Sequence, residues 1–363
     1  MTNVLREVLD EDLDAIEIGA AILGTGGGGN PYIGKLRCRE ELKNGRKIPV
    51  IPLSELPDDA FVVSLGGIGA PVVGVEKMEE GQECLRALHA LEKELDIKVD
   101  ALISAEIGGA NSMEPMLTAA QADLPVVDGD GMGRAFPEMQ MCTWSIYGHR
   151  EAPGAMADEK GNIVVIRETP NDIWLERIAR SVVVAMGAAA GLATQPMRGD
   201  FVKRAAIPNT ITQALNLGRA VLNAHATNAD PVQTVINQER GKLLMTAKIT
   251  DLQRHLKGGF AVGHINLDGF GKFNGETGRI DLQNEFLVFW HNGQVEVCTP
   301  DLIVVLDSDT GLPITTEMLR YGQRVAVLGL PAHPLMRSPE ALKVVGPAAF
   351  GYSDITFNPM EDK

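Results

Sequence analysis

The sequence predicts an α/β N-terminal domain with a largely parallel sheet, followed by a β-rich C-terminal domain. Apolar runs alternate with helical periodicities through the first half, and a polar or glycine-rich cluster follows each run. Beyond about Lys242 the pattern changes to repeated strands with Gly turns. At 363 residues the chain exceeds one ordinary core. Two domains, 1–168 and 169–363, are expected, with the boundary near 165–170.

In chain order, Leu13, Ile16, Ala20 and Leu23 recur at helical spacing behind Asp10-Glu-Asp12, whose charge suits a helix N-terminus. That helix stops at Gly24-Thr-Gly-Gly-Gly-Gly29, with Asn30-Pro31 as a further break. Ala60–Leu65 reads as a strand running into Gly66-Gly67-Ile68-Gly69. A helix from about Glu79 follows, with Leu85, Leu88, Leu91 and Leu95 on one side. Val99–Ala105 is the next strand and ends in Glu106-Ile-Gly-Gly-Ala-Asn111. Leu124–Val127 is the third and ends in Asp128-Gly-Asp-Gly-Met-Gly-Arg-Ala-Phe-Pro-Glu138. Asn162–Arg167 adds a strand. Helical stretches follow near Asp172–Ala193 and Asn209–Ala224, with Asn209 as N-cap. Later strands are expected at Lys242–Ile249, Phe260–Asn266, Arg279–Trp290, Asp301–Leu306 and Arg324–Leu328, and Asn292-Gly293 is a hairpin signal.

Strand–loop–helix units in series imply right-handed crossovers, and ligands then bind beyond the carboxyl ends of the strands. Gly66-Gly67, the Glu106–Asn111 cluster and Asp128-Asp130 therefore converge on one rim. Asp128 and Asp130 are like charges two residues apart, an arrangement that separates carboxyl pKa values. Arg134 and Glu138 share a face if a helix starts there. The alternative is an acidic turn with Asp128 as a helix N-cap. A calcium loop fails, because Met132 and Met139 stand where oxygen ligands are needed.

The other motifs are weaker. Gly24, Gly26 and Gly29 satisfy G-x-G-x-x-G, but a helical pattern precedes them where a dinucleotide site needs a strand. Plain capping, or amides facing a ligand, fits better. The net charge of −15 argues against nucleic-acid or anionic-membrane partners. Met1–Glu7 carries no readable secretory signal, and Val182–Ala193 is too short to span a bilayer. The four scattered cysteines read as reduced thiols of a cytoplasmic protein. Cys142, close after the acidic loop, is a nucleophile candidate set against an inert buried thiol. Seven histidines form no metal-ligand spacing. No cofactor is evident, and a divalent metal held by distant residues stays open, as does homo-oligomerisation.

On Gly24–Pro31, Glu106-Ile-Gly-Gly109 and above all Asp128–Glu138, the chain resembles the bacterial S-methyl thiohydantoin desulfurase-like family, associated with hydantoinase/oxoprolinase proteins. Gln283-Asn-Glu285, Pro300-Asp-Leu-Ile303, Tyr321-Gly322 and Gly351-Tyr352 extend the resemblance over nearly the whole length. It implies an α/β domain, a β-rich domain and hydrolysis of a sulfur-substituted hydantoin ring with release of methanethiol. The partner is then a small heterocyclic substrate. Chemistry assigns Asp128, Asp130 and Glu106 to acid and base roles and Arg134 to clamping the ring. Gly26, Gly27, Gly28, Gly29, Asn30, Gly66, Gly67, Gly108, Asn111 and Glu138 are the substrate-binding candidates. A non-catalytic binding or accessory subunit of a hydantoinase-type complex is the alternative.

Overall fold

The structure is a computed structural model and describes residues 4–69, 73, 77 and 79–360; Met1–Asn3 of the N-terminal segment read above lie outside them. The first sheet has ten described strands: β1 (Glu7–Val8), β2 (Ile48–Pro52), β3 (Phe61–Gly69), β4 (Ala101–Ser104), β5 (Val126–Asp130), β6 (Gly154–Ala157), β7 (Ile163–Ile166), β8 (Ala189–Ala193), β9 (Met197–Arg198) and β10 (Ile207–Pro208). Its centre is parallel, with β2, β5, β4 and β3 side by side. Antiparallel strands extend it on both sides, through β1 beside β2 and through β8, β6 and β7 beyond β3. The expected parallel neighbours at 60–65, 99–105 and 124–127 are β3, β4 and β5.

Helices α1 (Leu13–Leu23), α2 (Tyr32–Lys43), α3 (Glu83–Leu95), α4 (Met113–Ala122), α5 (Thr143–Ile146), α6 (Asp172–Ala185), α7 (Gly199–Ala205), α8 (Thr210–Thr227), α9 (Pro231–Gln238) and α10 (Pro339–Val345) surround the two sheets. None of the described helices is long and apolar enough to cross a membrane. α1 and α8 pack backbone to backbone. A Cβ at Gly19 would fall 1.9 Å from the Ala214 carbonyl oxygen, and one at Gly218 would fall 1.8 Å from that of Ala15. Only glycine permits so close a crossing. This crossing holds α1, and hence the glycine loop at its end, against the sheet.

The expected helix over Asp172–Ala193 is corrected by the structure. α6 ends at Ala185, because Gly187 and Ala188 take positive φ (89° and 66°) and turn the chain. Ala189–Ala193 then becomes β8, paired with β3 and β6. Small residues suit both readings by composition. Gly191 decides it, since a Cβ there would press within 2.5 Å of Cys84 N and Glu83 C at the start of α3.

The second sheet is antiparallel throughout: β11 (Lys242–Lys257), β12 (Phe260–Gly269), β13 (Thr277–Gln283), β14 (Glu285–His291), β15 (Gln294–Cys298), β16 (Leu302–Asp307) and β17 (Arg324–Leu330). The single strand expected over Arg279–Trp290 is two strands, broken at Asn284 with φ 56°. Asn292-Gly293 makes the turn between β14 and β15, both residues at positive φ as a tight hairpin requires. β16 and β17 are buried on both faces. Leu302, Val304 and Leu306 join the core of the first sheet, while Ile303 and Val305 fill the interior of the second. The period-two alternation therefore fastens one half of the molecule to the other.

Candidate active site

A cavity of about 490 Å³ opens beyond the carboxyl ends of β3 and β4, where a parallel sheet binds ligands. Gly66 and Gly67 of β3 form one wall, Glu106 and Asn111 another, and Gly28, Gly29 and Asn30 of the glycine loop a third. Asn284 and Glu285, from the break between β13 and β14, close it from the second sheet.

Glu106 is the one member of the expected acid–base and cation group Asp128, Asp130, Glu106 and Arg134 that lines this cavity. It follows β4, is 6% exposed, and accepts hydrogen bonds from Asn111 Nδ2 (2.7 Å) and the Phe136 N–H (3.0 Å). Burial raises its pKa to about 7; the two donors, and more weakly Arg134, oppose the rise, and Asp130 adds to it. Asn111 is fixed in turn by β3: Gly67 N donates to its Oδ1 (2.6 Å), and its Nδ2 also reaches Gly67 O (3.3 Å). A proton acceptor titrating near neutrality is thus held by an amide that reads the neighbouring strand.

The other three have different work, so the placement expected from the sequence is corrected. β5 runs on through Asp130 rather than ending at Val127, which keeps both aspartates inside the fold. Asp128 accepts the N–H groups of Ile211 (3.0 Å) and Thr212 (3.2 Å) and the Thr212 hydroxyl (2.6 Å). It caps α8. Asp130 Oδ2 accepts the N–H groups of Ile107 (2.8 Å), Met132 (3.1 Å) and Gly133 (2.8 Å). It ties the Glu106 loop to the loop after β5, with a pKa raised to about 7 by burial. Arg134 is fully buried and donates to Ala135 O, Pro300 O, Asp301 O, Phe286 O and Thr25 Oγ1 at 2.8–3.1 Å. No helix begins at Arg134, so it and Glu138 do not share a helical face. Arg134 turns inward and Glu138 lines the cavity.

Among the binding candidates, Gly28, Gly29, Asn30, Gly66, Gly67, Asn111 and Glu138 line the cavity, whereas Gly26, Gly27 and Gly108 do not. Those three serve close packing. A Cβ at Gly27 would lie 1.9 Å from Glu285 Oε1, one at Gly26 2.4 Å from the Phe286 ring, and one at Gly108 2.7 Å from Ala135 N. Cys142 lines the cavity, but burial pushes its thiol well up. It is a weak nucleophile. Among the described residues no histidine lines the cavity, and no three His, Cys, Asp or Glu side chains converge as a metal site.

Glu285, not among the site residues expected from the sequence, also lines the cavity. It is 2% exposed, its Oε2 has no hydrogen-bond partner, and its carboxyl is held well above the usual range by burial and by Glu106, against the pull of Arg134. The signal available was the polar pair Asn284-Glu285 interrupting an otherwise β-like run. Glu151, buried, and Glu114, half-buried, also line the cavity and carry no local motif.

Residues 11–168 match the S-Me-THD-like N-terminal domain and residues 170–360 the S-Me-THD-like C-terminal domain. The chain belongs to the S-Me-THD-like family. The crystal structure of a protein from Chromobacterium violaceum is similar to this S-Me-THD-like protein with a TM-score of 0.82 at 24% identity, over 98% of this chain and 100% of that one. That likeness shows the fold. No curated protein matches the chain. In this S-Me-THD-like protein the two matched regions supply opposite walls of one cavity, Glu106 from the first and Glu285 from the second.

Proposed function

We propose that the protein is a hydrolase that removes the sulfur substituent from a hydantoin-like five-membered ring, releasing methanethiol from an S-methyl thiohydantoin. The observation that carries this reading is the pairing of Glu106 with Glu285. Both are buried, both line the cavity, and burial pushes both carboxyl pKa values up, Glu106 to about 7 and Glu285 with Glu106 adding to the rise. Two such carboxyls can divide base and acid roles in adding water to an electrophilic ring carbon.

The steps balance as follows. Glu106 takes a proton from water as its oxygen bonds to the sulfur-bearing carbon, and Glu285 gives its proton to the adjacent ring nitrogen. The tetrahedral carbon then bears hydroxyl, methylthio and two ring nitrogens. The C–S bond breaks, the thiolate takes the proton from Glu106, and the hydroxyl proton returns to Glu285 as the carbonyl forms.

The test is incubation of the purified protein with S-methyl thiohydantoins, following methanethiol with a thiol reagent and the ring product by mass. Thiol release that disappears in Glu106→Gln supports the reading. Binding without release by wild type would point to the accessory-subunit alternative.

A further inference from the structure

We infer that the part of the cavity lined by Glu151 is a subsite for a cationic side arm, a primary ammonium or guanidinium, carried by the ring substrate. The inference rests on the proposed ring chemistry; recognition of the arm does not require turnover. A five-membered ring fills only a fraction of about 490 Å³, a volume suited to a larger ligand. The same cavity is lined by Leu192, Ala190, Met139 and Glu151, set apart from the Gly66-Gly67 and Glu106 residues assigned to the ring only in sequence and side-chain partners.

Glu151 lies between α5 and β6, is 2% exposed, and its Oε1 has no hydrogen-bond partner. Asp172, at the first turn of α6, sits directly behind it and accepts Glu151's own N–H (3.1 Å) and the Ser145 hydroxyl (2.6 Å). Glu176, one turn further along α6, is 4% exposed and lines the same wall. Among the described residues three cations line the cavity and each is already paired: Arg37 with Glu79 (2.9 Å), Lys77 with Glu159 (2.7 Å), and Arg180 with Glu176 (2.7 Å), Gly69 O (3.2 Å) and Pro137 O (3.1 Å). Cys142, Thr194 and Trp144 complete the surroundings, and none of them brings a positive charge.

A buried carboxyl with two acids beside it and no free counter-ion is poorly satisfied alone. Burial, then Asp172 and Glu176, push its pKa well up, and Trp144 and Thr194 offset this only in part. An ammonium arm supplies the missing partner and favours the ionised carboxylate, so its binding releases a proton. An anionic arm would bring a further negative group against Glu151, which Asp172 backs, and an alkyl arm would leave Oε1 unpaired.

The test is calorimetric titration at pH 7 in two buffers of different ionisation enthalpy, with 5-(4-aminobutyl)hydantoin, 5-butylhydantoin and 5-(3-carboxypropyl)hydantoin. For wild type the aminobutyl ring should bind at least tenfold tighter than the butyl ring, release close to one proton, and outbind the carboxypropyl ring by more. Glu151→Gln should erase the preference and the proton release, and Glu106→Gln should keep both. Equal or weaker binding of the amine by wild type overturns the subsite, as does an amine preference that survives in folded Glu151→Gln. If the preference holds but no S-methyl thiohydantoin yields thiol, the reaction assignment fails and the subsite stands.

Discussion

Asn209 stands at the head of α8, yet the carboxylate that caps that helix belongs to Asp128. Asn209 has φ 62° and makes no side-chain cap bond, while Asp128 receives two N–H groups of the first turn and the Thr212 hydroxyl. The N-cap reading of Asp128 was sound in kind. The helix it caps starts some eighty residues later in the chain.

Asp128→Ala should therefore lower stability by about 2 kcal/mol, the range for a lost cap whose N–H groups stay buried. Asp128→Asn should lose less. Urea unfolding checks both, and thiol release per folded molecule should stay near wild type. A hundredfold drop in turnover with unchanged stability would return Asp128 to the chemistry.

Glu106→Gln should lower kcat by about two orders of magnitude or more, as expected for loss of a general base, while an unreactive hydantoin still binds. In the wild type, kcat/KM should rise with pH through about 7 as Glu106 ionises. Removing the rising limb with Glu106→Gln, measured on residual activity, separates the base from a merely structural carboxylate.

Gly27→Ala adds a methyl where Glu285 Oε1 now lies, 1.9 Å from the new Cβ. Glu285 must swing away. Turnover should fall at least tenfold with a smaller relative change in KM. Refolded protein with full activity would show that Glu285 need not hold its position.

Arg134→Met leaves four carbonyl oxygens and Thr25 Oγ1 without their buried donor. A loss of at least about 3 kcal/mol is expected. Arg134→Lys should not restore it, since one ammonium cannot reach a fork of five acceptors. Chemical denaturation of both variants decides this.

Stability should also depend on pH in a definite direction. Glu106, Glu114 and Asp130 titrate at about 7 in the fold, above their ordinary values near 4. Between those limits the unfolded chain has released these protons and the folded chain keeps them, so stability declines as pH rises from about 4 to 7. Glu114→Gln should flatten the decline in urea midpoints between pH 5 and 7.5.

Much of the architecture was legible because local pattern and tertiary demand agree. The strands at 61–69, 101–104 and 126–130 are apolar runs that end in turn-forming or polar residues, and the rim they share follows from parallel topology. What was not legible is which way each polar side chain turns there. Asp128, Asp130 and Arg134 form the densest charged motif, and density suggested chemistry. In the fold they are consumed by Ile211, Ile107 and Pro300, groups far away in sequence that no local spacing reveals. Glu151 carries no local motif, and Glu285 joins the cavity only because the second sheet closes on the first. The Ala189–Ala193 strand was hidden for a related reason: its small residues permit helix, and the crowding at Gly191 that demands a strand is tertiary.

The contribution of both matched regions to one cavity has a genetic consequence. Glu106 and Glu285 lie on opposite sides of the junction near residue 169, and Arg134 reaches across it to Phe286, Pro300 and Asp301. Loss of either segment removes one member of the acid pair. The two are bound to descend together, and a gene cut at that junction should regain thiol release only when both pieces are produced in the same cell.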